Sequence, residues 1–150
     1  MNFEHNKENL IRDLEAIVDE ALELVNSNSD RSRKLATEAK EIAEKHGLKD
    51  IQANALMLLC RLTSTQEGAL YALELGSQAV ELIKNNDNEN LKLKIYNGYG
   101  NCLHRYNRPL ESLAYFEKAL EITRSIGDTA GEIHLLYNLG VCYLAIGLHG

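Results

Sequence analysis

The 150-residue sequence has no tryptophan and one proline, and aromatic residues make up only 6% of it. Sheet proteins generally need more aromatic and β-branched residues and more turn-forming residues than this, so the composition favours helices. Hydrophobic residues make up 45% of the chain and charged residues 25%. That balance is typical of a folded domain with a core and argues against disorder.

Positive charge is also scarce, because 16 Lys and Arg residues face 22 Asp and Glu residues and the formal net charge is −6. An acidic surface repels phosphate backbones, so we expect no nucleic-acid partner. The first residues, 1–15, are polar, and no apolar run approaches the roughly 18 residues of a membrane span. We therefore expect no signal peptide and no membrane association, and cytoplasmic location is the default.

The sequence lacks the spacings of known catalytic and metal-binding motifs. It has three cysteines and no Cys-x-x-Cys or His-x-x-x-His pair, and no phosphate loop or nucleophile elbow is present. An odd number of cysteines on helical segments points to a reducing compartment and not to a disulfide framework. We interpret the cysteines as small core residues, and we expect no enzyme activity, no metal and no cofactor.

A repeat of 40 residues runs through the chain, since the segments 30–48, 70–88 and 110–128 align at that step. The segment 96–103 aligns in the same register with 136–143, and this alignment pairs Gly100 with Gly140. A repeat of this length indicates a stack of similar structural units. The matching positions are Ser32, Ala72 and Ser112, then Ala39, Ala79 and Ala119, then Ile42, Leu82 and Ile122.

Each repeat unit reads as two helices. In the third unit Leu110, Leu113 and Phe116 recur at spacings of three, which predicts an apolar stripe on a helix. Pro109 is suited to the first turn of that helix and Gly127 to its end. We predict an all-α, α-α superhelix of about seven helices in one domain, 1–150. Its units span about 7–48, 50–88 and 90–128, with a partial unit at 130–147; the first helix of each unit covers about 7–26, 50–65, 90–106 and 130–146.

At these positions the sequence resembles the tetratricopeptide repeat family, in its long-period bacterial type. The third unit carries Tyr99-Gly100 on its first helix and Ser112, Phe116 and Ala119 on its second, in the slots of the family motif. Glycine in mid-helix costs about 1 kcal/mol relative to alanine. Its recurrence at Gly100 and Gly140 therefore predicts a neighbouring helix pressed against each glycine.

The second unit departs from this motif. Cys60 stands in the glycine slot and Gly76 in the aromatic slot, which we interpret as a volume-conserving exchange between partner positions. The first unit is the most degenerate, as terminal repeats often are. The chain stops where the family would begin another second helix, so we expect a fragment of a longer protein.

The resemblance implies that the first helices line a concave face. Helical spacing from the two glycines predicts an amide-rich, basic groove on this face. Asparagine side chains can bond to the backbone of a bound peptide, and Lys or Arg side chains to the carboxylates of an acidic one. Asn101 and Asn138 resemble part of a carboxylate clamp, although Asn97 replaces the expected lysine. The alternative is an ordinary polar helix face. The predicted groove residues are Asn54, Met57, Arg61, Lys94, Asn97, Asn101, His104, Arg105, His134, Tyr137 and Asn138.

Three functions remain open from the sequence. The first is a protein- or peptide-binding scaffold, as the N-terminal regulatory or interaction region of a bacterial signalling protein. The second is self-association, with a homodimer formed through the open C-terminal end of the stack. The third is a sensor of a small ligand or signalling peptide that controls an output domain such as a diguanylate cyclase.

Overall fold

The computed structural model describes residues 3–63 and 66–149. Within those residues the fold is all-α with seven α-helices, as predicted, and a single 3-10 turn at Gln66–Gly68 precedes the fourth. Each helix packs on the next, and α1, α3 and α5 also pack side by side. The helices are α1 Phe3–Glu23, α2 Ser29–Lys45, α3 Lys49–Leu62, α4 Ala69–Ile83, α5 Glu89–Arg105, α6 Pro109–Ile126 and α7 Thr129–His149.

Local sequence sets where these helices begin and end. The Asn88 side chain accepts a hydrogen bond from the Leu91 backbone N–H at 3.0 Å and caps the start of α5. Pro109 occupies the first turn of α6, as predicted. Gly47 and Gly127 adopt φ of 67° and 74°, the left-handed conformation that ends a helix at little cost to glycine.

Three predicted helix ends differ from the observed ones. Helix α1 ends at Glu23 instead of residue 26, and α3 ends at Leu62 instead of residue 65. Helix α7 continues through Gly147 to His149, beyond the predicted end at 146. Gly147 does not take the positive φ of Gly47 and Gly127, so it does not terminate the helix.

The repeat is visible in the packing of equivalent side chains. Ser32 and Ser112 are both fully buried, and each hydroxyl donates a hydrogen bond to a backbone carbonyl of the preceding helix. The acceptors are Ala21 at 2.6 Å and Gly100 at 2.7 Å. The same contact occurs in two units, so residues that align in the sequence repeat also occupy equivalent places in the structure. Ala39, Ala79 and Ala119, one residue per unit, are also fully buried.

The two mid-helix glycines have different surroundings. A Cβ on Gly100 would lie 2.6 Å from a ring carbon of Phe116, a side chain that is only 1% exposed, so the predicted close approach is confirmed there. At Gly140 no described atom lies within 4 Å of such a Cβ. The prediction that a neighbouring helix packs against Gly140 is wrong for the described residues, because they contain no helix after α7.

Packing around Gly76 involves a third residue that the sequence did not indicate. A Cβ on Gly76 would lie 3.5 Å from the Cys60 sulfur, as the exchange hypothesis expected, but 2.6 Å from the ring of Tyr99. The aromatic ring of the next first helix therefore fills this space. Leu110 also departs from the predicted stripe on α6, since it is 69% exposed, whereas Phe116, Ala119 and Leu120 are buried.

Candidate binding groove

The side-by-side packing of α1, α3 and α5 leaves a pocket of about 440 Å³ between the three helices. Its walls come mainly from α3 and α5, and Val18 and Leu22 of α1 close one side. We call this cavity the cationic pocket, because its lining contains three positive side chains and no Asp or Glu. Those side chains are Arg61, Lys94 and Arg105.

The structure brings together seven of the eleven residues predicted for the groove and leaves four outside. His104 is exposed on α5, and the other three lie on α7, where Asn138 and His134 contact each other at 3.4 Å. The clamp pair Asn101 and Asn138 is therefore not united in this cavity. The seven that line it are Asn54, Met57, Arg61, Lys94, Asn97, Asn101 and Arg105.

A smaller cavity of about 270 Å³ adjoins the cationic pocket and shares Asn54 and Lys94 with it. This neighbour is lined by Glu15, Asp19 and Asp50. The charges along the groove are therefore unevenly distributed. Arg61 and Arg105 lie toward the C-terminal ends of α3 and α5, whereas the carboxylates lie toward the N-terminal ends, where Lys94 borders both cavities.

Arg105 is held in place by the end of α3. Its Nη1 donates to the carbonyl oxygens of Arg61 at 3.3 Å and Thr63 at 3.2 Å. The Tyr106 hydroxyl donates to the same Thr63 oxygen at 2.6 Å. The last carbonyls of a helix have no partner within it, so these bonds satisfy them and fix the guanidinium at the pocket wall.

None of the three cations has an ion-pair partner within the described residues, and Arg61 and Lys94 also lack the carbonyl hydrogen bonds that hold Arg105. Both side chains are exposed at the pocket mouth. Their charges are consequently available to a negative group that enters the pocket.

Two amide oxygens at the pocket are buried without a hydrogen-bond partner in the described structure. They are Oδ1 of Asn54 and Oδ1 of Asn97, on α3 and α5 respectively. Leaving a buried acceptor unsatisfied costs about 1–3 kcal/mol. Both oxygens are closed to solvent, so a bound molecule that offers N–H donors would recover that free energy once the amide groups turned toward the cavity.

The pocket lining also contains two sulfur atoms that we did not predict to be neighbours. Sγ of Cys60 on α3 lies 2.9 Å from Sγ of Cys102 on α5. The cysteines are 42 positions apart, two more than the repeat, so alignment at equal positions paired Cys102 with Cys142 instead. The informative signal was that neighbouring first helices pack side by side. Cys142 instead lies 3.5 Å from the Ser112 hydroxyl.

The described residues, 3–63 and 66–149, offer neither a metal-binding cluster nor a membrane-spanning helix. No group of three or more His, Cys, Asp or Glu side chains is placed to hold a metal ion. None of the helices in those residues combines the length and the apolar character that crossing a bilayer requires.

A third cavity, of about 620 Å³, lies on the outer side of α6 and α7. We call it the terminal cleft. Leu136 and Tyr143 of α7 line it and are 45% and 57% exposed. Gly140 lies between them at the register where Gly100 receives Phe116.

Comparison with known proteins finds a family match for one part of the chain. Residues 91–150, which take in most of α5 together with α6 and α7, match the family model of the tetratricopeptide repeat. No curated protein matches the chain. Repeats of this family generally mediate protein–protein interaction. Helices α5 to α7, with the contact between Gly100 and Phe116, are therefore similar to tetratricopeptide repeats.

Proposed function

We propose that this protein is a non-catalytic scaffold whose cationic pocket binds an extended acidic segment of a partner protein. The observation that carries the proposal is the pair of unpartnered amide oxygens on Asn54 and Asn97. They lie on adjacent helices in a pocket whose charged side chains are all positive. An extended peptide presents backbone N–H groups that such oxygens accept, and acidic side chains pair with Arg61 and Lys94.

The electrostatic division of the groove supports a directional ligand. The cavity beside the cationic pocket carries Glu15, Asp19 and Asp50. A segment with negative charge at one end and neutral or positive charge at the other matches both cavities, whereas the reversed segment places like charges together. Like-charge contact of this kind gives specificity more than affinity.

The test measures fluorescence anisotropy of a labelled short peptide in which glutamate alternates with alanine. Arg61→Glu with Lys94→Glu removes both unpaired cations from the pocket mouth and leaves the Arg105 bonds intact. We expect the double variant to bind about tenfold or more weakly, a change of about 1.4 kcal/mol or more. Asn97→Leu is expected to weaken binding without changing the charge.

A matched control separates the site from the overall charge. Lys34→Glu with Lys45→Glu makes the same change in net charge on exposed positions of α2, outside the pocket lining, and should leave binding unchanged. A second control is a peptide in which lysine replaces glutamate. Equal binding of both peptides, or equal affinity of both double variants, would overturn the proposal.

A second candidate function is self-association through the terminal cleft. Leu136, Tyr143 and Leu144 are exposed on α7, and Gly140 leaves room for a side chain like Phe116. A second copy that brings the same face forms a two-fold symmetric contact. Sedimentation velocity tests this: Leu136→Glu with Tyr143→Glu should convert a dimer to a monomer, and a monomeric parent protein rules the dimer out.

In the scaffold proposal the chain acts as a regulatory or interaction region of a bacterial signalling protein, in the cytoplasm. The resemblance to long-period repeats supports that setting. A sensor of a small ligand is a third candidate, since apolar side chains such as Met57 and Leu58 line the cationic pocket beside the polar ones.

A further inference from the structure

The proximity of two thiols on different helices is the basis for this inference. The sulfur atoms of Cys60 and Cys102 lie 2.9 Å apart, and a disulfide bond has a length of about 2.05 Å. An approach of less than 1 Å therefore separates the two free thiols from a bond. Helices α3 and α5 pack directly on each other, which holds the two sulfurs side by side.

Both thiols are buried in the protein but border a cavity. The exposed fraction is 0% for Cys60 and 2% for Cys102, and both line the cationic pocket. A molecule the size of hydrogen peroxide can enter a cavity of about 440 Å³ and meet the small exposed part of Cys102.

The surroundings distinguish the two sulfurs. The Cys60 thiol donates a hydrogen bond to the Cys102 sulfur. This bond, and next the positive charge of Arg105, lower the pKa of Cys102 against the effect of burial. The same bond, together with burial, raises the pKa of Cys60. Cys102 is thus the sulfur that ionises first, and Cys60 is the one that keeps its proton.

We propose that Cys60 and Cys102 form a thiol pair that small hydroperoxides oxidise to a disulfide between α3 and α5. The Cys102 thiolate attacks one peroxide oxygen; an S–O bond forms, the O–O bond breaks, and the departing oxygen takes up a proton to leave as water or alcohol. Cys102 is now a sulfenic acid, and the hydroperoxide is reduced.

Cys60 then completes the reaction. Its sulfur attacks the Cys102 sulfur, the S–S bond forms and the S–O bond breaks, and hydroxide leaves with the Cys60 proton as water. In total, two thiols and one hydroperoxide give one disulfide, one water and one alcohol or second water. A thiol reductant reverses the bridge by disulfide exchange.

The disulfide would join the two walls of the cationic pocket at their sulfurs. It would restrain α3 against α5 at positions six residues after Asn54 and five residues after Asn97. This last consequence, control of ligand entry, rests on the proposed function. Formation of the disulfide does not, because it depends only on the thiols, the pocket and the oxidant.

The test uses the Cys142→Ser variant of the full chain, which keeps the pair intact and removes the third thiol. After treatment with an equimolar amount of hydrogen peroxide, the intact mass should fall by about 2 Da, the loss of two hydrogens. Trypsin cuts after Lys49, Arg61, Lys94 and Arg105, so the expected product is a reducible link between peptides 50–61 and 95–105.

Two further variants assign the roles of the sulfurs. In Cys60→Ser, whose hydroxyl keeps a hydrogen-bond donor beside the Cys102 sulfur, dimedone should label Cys102 as a trapped sulfenic acid; in Cys102→Ser, Cys60 should stay unlabelled at the same dose. Circular dichroism checks that both variants are folded. The proposal is overturned if Cys142→Ser forms no linked peptide, if the wild type links Cys102 to Cys142, or if dimedone labels Cys60 as readily as Cys102.

Discussion

Alanine at Gly100 and alanine at Gly140 make the same chemical change at equivalent repeat positions and should have opposite effects on stability. In an exposed or roomy helix position, replacing glycine by alanine stabilises by about 1 kcal/mol through helix propensity. That gain is available at both sites. The difference between the variants comes from what the new methyl group meets.

At Gly100 the new Cβ would lie 2.6, 2.7 and 3.1 Å from three ring atoms of Phe116. Carbon atoms in good contact lie about 3.5–4.0 Å apart, so the ring must retreat by about 1 Å. Phe116 is 1% exposed, so the ring moves within a packed core. Overpacking of this kind costs about 1–3 kcal/mol, which exceeds or cancels the propensity gain.

At Gly140 no described atom lies within 4 Å of the new Cβ, so only the gain remains. For a domain of this size, 1 kcal/mol shifts Tm by about 2–4 °C. We therefore expect Gly140→Ala to raise Tm by about 2–4 °C, and Gly100→Ala, at a net cost of up to about 2 kcal/mol, to give no rise and to lower Tm by up to about 4–8 °C. Thermal unfolding followed by far-UV circular dichroism measures both. An equal rise in Tm for both variants would refute the close contact of α5 and α6.

Three other predictions concern stability. Asn97→Leu removes a buried acceptor that has no partner. The free energy of urea unfolding should stay the same or rise by up to about 1 kcal/mol, while peptide binding weakens. A loss of about 2 kcal/mol or more, on the scale of a core defect, would contradict this. Ser112→Ala removes the buried bond to the Gly100 carbonyl and should cost about 1 kcal/mol in the same assay, whereas exposed Ser77→Ala should cost nothing measurable. Burial raises the pKa of Tyr99 from 10.0 to about 12, so the unfolded chain loses this proton first and stability falls as pH rises from about 10 to 12. Tyr99→Phe should remove that part of the fall, and an unchanged alkaline unfolding curve would argue against it.

The repeat and the helix order were predictable from sequence because they depend on local and periodic signals. Ser32 and Ser112 fall one above the other in the alignment, and both make the same hydrogen bond. Pro109 and Gly127 act through their own backbone conformations, which no neighbour needs to supply. Helix ends without such residues, as at Glu23 and Leu62, were misplaced by about three residues.

The details of the pocket depended on contacts between neighbouring units, and an alignment of the repeats does not show which residues of two units meet. Cys60 meets Cys102 and Gly76 meets Tyr99, and both pairs join one unit to the next at unequal positions. Val18 of α1 was missed for a related reason, since the first unit is too degenerate to align. The predicted residues on α7 failed to join the pocket because only α1, α3 and α5 enclose it.

The central claim, that the cationic pocket receives an acidic peptide, is tested most directly by NMR on the isotopically labelled protein. Titration with the glutamate–alanine peptide should shift the side-chain amide signals of Asn54 and Asn97 together, with saturation at a single affinity. The signals of exposed asparagines outside the pocket, such as Asn26, should stay in place. Binding that leaves the amides of Asn54 and Asn97 unmoved, or no binding at all, would contradict the account.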